Sequence, residues 1–485
     1  MIDLTIDRET RNKNIAFCRD KNILLPTFEM MRRPETIPQR IQDQLAQVAP
    51  NDLHPANLFR ITWKNQFQTG QGPFGPINHV RLPPSLTGCR ANIILLSGKD
   101  FPTGAHKVGA TFGCLVPELV TGRFDPQTTR AVWPSTGNFC RGGAFLSALL
   151  SCPAVAVLPE GMSRERFEWL EKIAGEIITT PGSESNVKEI FDTCGVLESQ
   201  GRNLHIFNQF EELGNPLWHY QVTGPAVEEI MLPLEEEGLR YQGFVAASGS
   251  GGTLGTGYYL RKAFPGSKLA VAEALQCPTL LWNGHGSHRI EGIGDKHVPW
   301  IHDTRATDMV IGVDDALPMA LLRLFNTETG KEALTREGIP SDIVEKLDFL
   351  GISGLGNLTA AIKFAKYYEL TEKDVVVTIA TDSMALYGSR LEELEREQGP
   401  YEMEKAWPDL GRLRALGMDA LRELNYYDRK ALHNLKYFTW VEQQGKDVDE
   451  LDAQWMDHDS YWDDAFNKAG EIDALIREFN AGVMS

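Results

Sequence analysis

The chain lacks any pair of cysteines at CxxC spacing. Its seven cysteines stand apart at positions 18, 89, 114, 140, 152, 194 and 277. An odd, dispersed set argues against a disulfide framework and against a structural zinc site. Histidines supply no metal pattern either. His285, His288 and His297 come nearest to a cluster, yet they lack cysteine or carboxylate partners at ligand spacing and are expected to be solvated. No G-x-S-x-G nucleophile motif is present. Positive charge is in deficit, with 48 Lys and Arg against 66 Asp and Glu, a formal net charge of −18. Such a surface repels nucleic acid and anionic membranes, so neither is an expected partner. No apolar run approaches the length of a membrane span. The first residues, MIDLTIDRETRNKN, contain no apolar signal-peptide core, and a reducing cytoplasm is the expected location. Repeats and low-complexity tracts are absent as well.

What is present is ordinary globular protein, 42% hydrophobic and 24% charged over 485 residues, enough for two or three domains. Residues 1–60 are polar and proline-punctuated and read as an N-terminal extension of short helices and loops. From about 90, short β-branched runs alternate with helical patterns. Candidate strands are IILL at 93–96, AVW at 131–133, VAVL at 155–158, EIITT at 176–180, GFVAA at 243–247, LAVAEA at 269–274 and VVVTIA at 375–380. Helical stretches such as 141–150 and 163–174 lie between them. This alternation predicts α/β architecture, with parallel sheets covered by helices on both faces. After about 395 the strand signals stop, and 396–485 reads as an acidic helical extension.

Four segments carry candidate chemistry. At 248–253, SGSGGT follows the apolar strand GFVAA and precedes a helix start. A glycine-rich turn there points several N–H groups at an anion, and phosphate is the natural ligand. Its spacing fits the dinucleotide pattern G-x-G-x-x-G poorly, and the acidic residue expected about twenty positions on is Glu273 alone. Lys107, in DFPTGAHKVGA, stands between small residues that let a backbone or a flat ring approach. A lysine kept among such groups has a lowered pKa, and its neutral amine forms imines. A phosphate cradle with an embedded lysine suggests pyridoxal phosphate, held by its phosphate and by a Schiff base. The third segment, PSTGNFCRGGA at 134–144, offers Ser135, Thr136 and Asn138 at a helix start, suited to a carboxylate or to plain helix capping. The fourth, TIATDSMALYGSR at 378–390, leaves Thr381, Asp382 and Ser383 at the carboxyl end of a strand, where ligands of open α/β sheets bind. Turn chemistry explains that last triplet equally well.

In this order the segments resemble the fold type II pyridoxal-phosphate enzymes, and cysteine synthase and cystathionine β-synthase above all. GNPLWHYQVTGPAVEEI at 214–230 is similar to their N-P-x-x-H-x-x-T-G-P-E-I stretch. SGSGGTLGTG is similar to their phosphate loop, LAVAEALQCPTLLWNGHGSHRIEGIG at 269–294 to their strand, glutamate and G-I-G loop, and LGISGLGNLTAAIKFAK at 350–366 to their I-S-S-G helix start. The resemblance spans about 90–395. Departures are also plain. TGAHKVGA looks more like the lysine segment of tryptophan synthase β chain, and the asparagine loop spacing is nearer the dehydratases.

The resemblance implies two α/β domains with the cofactor between them. The larger is 61–119 with 216–395, and the smaller, mobile one is 120–215. They are flanked by the extension 1–60 and the tail 396–485. It implies pyridoxal 5'-phosphate on Lys107, with Gly249, Ser250, Gly251, Gly252 and Thr253 at the phosphate, Asn138 at the ring hydroxyl and Thr381 at the ring nitrogen. Ser135, Thr136, Gly137 and Asn138 would hold the substrate carboxylate, and no metal is involved. Lys107 would also move the Cα proton. The implied reaction takes place at Cβ of a small-molecule amino acid, as elimination or replacement through an aminoacrylate, in a homodimer. Alternatives are an ammonia-lyase or dehydratase acting on a serine- or threonine-like amino acid, a nicotinamide-dependent oxidoreductase, and a catalytically silent scaffold whose Trp455, Tyr461 and Trp462 form an interface. Arg141 is open between reading an anionic substrate and lying exposed at the helix start, the latter being the more economical.

Overall fold

The computed structural model of the chain describes residues 1–66, 72–293 and 296–485. Among the described residues, eleven strands form two sheets, numbered along the chain: β1 His79–Leu82, β2 Asn92–Ser97, β3 Arg130–Pro134, β4 Ala154–Pro159, β5 Glu176–Thr180, β6 Leu204–Ile206, β7 Arg240–Ala247, β8 Lys268–Ala274, β9 Met309–Val313, β10 Asp374–Ala380 and β11 Leu421–Glu423. The larger sheet has the order β1-β2-β10-β7-β8-β9-β11 and the smaller β5-β4-β3-β6. All pairs are parallel except β1 with β2 and β9 with β11 at the two edges. The central strands β2 and β10 are buried at every position, as befits a sheet with helices on both faces.

Each strand signal read from the sequence lies in a strand. The ones missed are short or at an edge: β1, β6 and β11, together with the apolar MVIGV of β9. The expectation that strands end near 395 is corrected by β11, in which Leu421, Arg422 and Glu423 pair with Ile311, Val310 and Met309. With only three residues, β11 is too short to show a period of two.

The extensions at the two ends of the chain meet. Helix Arg8–Asp20 and helix Ala469–Met484 pack together, and the Asp473 carboxylate accepts from the amides of Phe28 at 2.7 Å and Glu29 at 3.2 Å. The tail is otherwise helical. Trp455, Tyr461 and Trp462 are buried against the body of the chain, so the expectation that they form an exposed interface is corrected. Apolar side chains spaced one helical turn apart face inward here as elsewhere. Among the described residues, no helix is long and apolar enough to cross a membrane.

Lys107 begins the helix Lys107–Thr121, and the glycines after it permit close helix packing. A Cβ on Gly113 would stand 2.1 Å from the Gly214 carbonyl oxygen, and one on Gly109 would stand 2.1 Å from the Trp218 ring. The partner is the helix Gly214–Trp218, the start of the GNPLWH stretch. Small residues beside Lys107 therefore admit both a backbone and an indole ring.

Candidate active site

Three of the four segments leave carboxyl ends of parallel strands and converge. The turn 248–253 follows β7, the loop 135–138 follows β3, and Thr381 follows β10. The fourth, Lys107, is tied to the same edge by an antiparallel bridge between Ala105 and Asp382 and by the His106 amide, which donates to the Thr381 carbonyl at 3.2 Å. One cleft is lined by Lys107, Ser135, Thr136, Asn138, Gly249, Ser250 and Thr381. Gln209, Phe210, Arg166, Glu184 and Gly292 also contribute to its wall. Gly137, Gly251, Gly252 and Thr253 belong to the same two loops. The Gly294 end of the 269–294 stretch lies outside the described residues.

The Lys107 Nζ donates to Ser250 Oγ at 3.2 Å. The side chain opens on the cleft, yet protein surrounds the amine closely enough that burial lowers its pKa to about 8. Ser250 Oγ also accepts from Asn215 Nδ2 at 3.2 Å, while Asn215 Oδ1 is buried without a hydrogen-bond partner. A Cβ on Gly252 would lie 1.9 Å from that oxygen, and Gly251 has φ +81°, so the turn requires glycine at both positions. Behind Lys107, His106 and His219 form a buried edge-to-face pair, their centroids 5.0 Å apart, and burial holds both well below the usual histidine pKa.

On the opposite wall, Asn138 opens the helix Asn138–Leu149 and donates from Nδ2 to Asp382 Oδ2 at 2.6 Å. The same carboxylate oxygen accepts from Tyr387 Oη at 2.7 Å and lies 3.8 Å from Arg166 Nη2. Asp382 is thus committed to Asn138 and Tyr387, and of the three residues after β10 it is Thr381 that lines the cleft. Arg166 is buried and pairs with Glu291, which also takes Arg390 Nε at 2.6 Å. Glu184, 3% exposed, accepts from Thr136 Oγ1, and burial raises its carboxyl pKa to about 8.

The exposed placement considered for Arg141 is corrected. Arg141 is 2% exposed, its guanidinium lies over the Trp169 ring at 4.7 Å, and Nη2 donates to the Thr103 carbonyl at 2.8 Å. Thr103 has φ +71°, an uncommon conformation for a β-branched residue. Arg141 therefore clamps a strained turn four residues before Lys107. His288 is also buried, not solvated. Glu273 accepts from the amides of Leu280 at 2.9 Å and Leu281 at 2.8 Å, so the one acidic residue available to a dinucleotide ribose is engaged elsewhere. Among the described residues, no group of three His, Cys, Asp or Glu side chains is arranged to hold a metal ion.

Sequence reasoning missed Glu184, Arg166, Gln209 and Phe210, which reach the cleft from outside the four segments. Only Asn215, within GNPLWH, had a readable signal. The residues present suit pyridoxal phosphate on structural grounds. They offer an amine of lowered basicity and a glycine turn where a side chain would clash.

Comparison with known proteins agrees. The family model described as pyridoxal-phosphate dependent enzyme matches residues 80–382. A cysteine synthase of Staphylococcus aureus (strain Mu50) is 32% identical over 265 residues, covering 53% of this chain and 75% of the relative. Cystathionine beta-synthase of Saccharomyces cerevisiae is 29% identical over 328 residues, covering 64% and 60%. The crystal structure of an O-acetylserine dependent cystathionine beta-synthase from Helicobacter pylori aligns with TM-score 0.55 at 23% identity, over 65% of this chain and 95% of that one, a likeness of fold. The cofactor is pyridoxal phosphate, and the chain belongs to the pyridoxal-phosphate dependent enzyme family.

Proposed function

We propose that this protein carries out a cysteine synthase-like reaction at Cβ of an α-amino acid, elimination followed by replacement. The observation that carries the reading is the Lys107 amine facing Ser250 of the glycine turn, with Thr136, Asn138 and Thr381 on the same cleft. The turn 249–253 would hold the phosphate. Thr381 would offer the ring nitrogen a neutral hydroxyl rather than a carboxylate. Asn138 would hold the ring hydroxyl. Bound pyridoxal phosphate supplies an electron sink for charge developing at Cα.

The chain's own residues do the rest. Lys107 Nζ, poised near neutrality, takes the Cα proton. Ser135, Thr136, Gly137 and Asn138, at the start of a twelve-residue helix, hold the substrate carboxylate through hydroxyl and amide donors. Two features of this clamp are already engaged. The Gly137 amide donates to Ser135 Oγ at 3.0 Å, and Thr136 donates to Glu184. A protonated Glu184 is compatible with an anionic carboxylate nearby.

We divide the chain into a larger domain, 61–119 with 216–395, and a smaller one, 120–215. We further propose a homodimer, as the family resemblance implies, in a cytoplasmic setting that suits its buried cysteines. Sedimentation at twice 54.1 kDa tests the dimer, and a mass of 54.1 kDa contradicts it. Incubation with O-acetylserine and sulfide tests the reaction. The reading expects cysteine as the product. Keto acid and ammonia released from serine or threonine, with no cysteine formed from O-acetylserine, would assign the lyase alternative instead.

A further inference from the structure

The segment 396–485 lies beyond the stretch that the family shares, and none of its residues lines the cleft. It nevertheless touches the site through one intermediary. The glycine turn backs onto residues 299–302: a Cβ on Gly251 would stand 3.5 Å from the His302 Cβ and 3.6 Å from that of Pro299. Residues 298–302 belong to no helix or strand, so no regular hydrogen-bond ladder fixes them.

The Ile301 amide donates to the Phe210 carbonyl at 3.3 Å and the His302 amide to the Pro299 carbonyl at 3.1 Å, and two side chains of the tail add to these. Lys436, at the end of the helix Tyr426–Lys436, is 0% exposed, and its Nζ donates to the carbonyls of Trp300 at 2.8 Å and His302 at 2.6 Å and to Gln454 Oε1 at 2.8 Å. Trp440 Nε1 donates to the Val298 carbonyl at 2.8 Å. Further along, Asp303 Oδ2 faces His458 Nε2 of the tail at 2.8 Å. An ammonium has three donors, and all three of these are spent on neutral acceptors. Burying it is costly, and burial draws its pKa down to about 7 against the opposing pull of Asp303. An apolar side chain would anchor the tail at lower cost. What the lysine adds is a fixed position for two carbonyls on the wall behind Gly251.

We propose that the C-terminal helical segment is a structural part of the cofactor site, with Lys436 a positioning residue that holds residues 298–302 against the phosphate-binding turn. This rests on the reading that 249–253 binds the phosphate.

Titration of apoprotein with pyridoxal phosphate, followed by absorbance, tests it in three proteins: wild type, Lys436→Met and Ser250→Asp, the last placing a carboxylate in the turn itself. Lys436→Met is expected to raise the cofactor Kd by about tenfold or more, with unchanged circular dichroism. A Kd within about twofold of wild type for Lys436→Met, beside loss of cofactor in Ser250→Asp, overturns the proposal and leaves the turn reading in place. Unchanged affinity in Ser250→Asp overturns the turn reading itself. Hydrogen exchange on the wild type covers the case in which Lys436→Met does not fold. Adding pyridoxal phosphate to apoprotein is expected to slow exchange at 298–302 together with 249–253, and protection confined to 249–253 contradicts the proposal.

Discussion

Lys107 is an amine tuned by its surroundings. Burial holds its pKa at about 8, below the ordinary 10.5. The neutral amine is the nucleophile, so covalent capture of the cofactor by apoprotein should accelerate as pH rises and level off above about 8. Stopped-flow rates across the pH range check this, and a rise that continues to 10.5 contradicts it. The same shift has a stability counterpart. Between about 8 and 10.5 the unfolded chain binds the proton that the native state has released, so this group makes the fold more stable as pH rises through that window. Much of this residue was legible in the sequence, because small neighbours on both sides announce a crowded amine. Arg141 was not. Its register at a helix start suggests exposure, but Trp169 and the Thr103 carbonyl, distant in sequence, bury it.

Among the elements, the meeting of the helix Lys107–Thr121 with the helix Gly214–Trp218 sets where the amine sits. Glycine inside a helix ordinarily costs stability relative to alanine, by about 0.5–1 kcal/mol. Here the sign reverses. In Gly113→Ala the new methyl would meet the Gly214 carbonyl, and backbone does not swing aside as a side chain can. The substitution should destabilise the protein by about 1–3 kcal/mol, the usual cost of overpacking. Urea unfolding measures it, and a variant as stable as wild type would contradict this packing. The strands flanking the site were readable because buried parallel strands are continuous apolar runs. Short edge strands such as β1, β6 and β11 carry too few residues to show a period, and pairing alone creates them.

Across the whole molecule, a buried ionic network joins the two sheets. Arg166, on the helix Arg164–Leu170 beside the smaller sheet, contacts Glu291, Tyr387 and Asp382, all of which follow strands of the larger one. Arg166→Met leaves Glu291 with Arg390 and strips Asp382 of its nearest cation. Removing one partner of a buried pair costs about 3–5 kcal/mol. A drop of that size in unfolding free energy is expected, with weaker cofactor binding because Asp382 also orients Asn138. Unchanged stability would show that the network is dispensable. None of this network was visible in the sequence, since its members lie far apart along the chain, Arg166 and Tyr387 by 221 positions. The order of the lysine, asparagine and glycine segments along the chain, with the stretches at 214–230 and 350–366, by contrast pointed to the fold, because the asparagine and glycine loops each leave the carboxyl end of a parallel strand, one in each sheet.

The central claim is that the cofactor is carried by Lys107. Borohydride reduction of the purified protein, digestion and mass spectrometry test it directly. The account predicts the reduced pyridoxyl group on the peptide containing Lys107 and its loss in Lys107→Ala, together with the visible absorption band and turnover. The group on a different lysine, or none after incubation with pyridoxal phosphate, would contradict it.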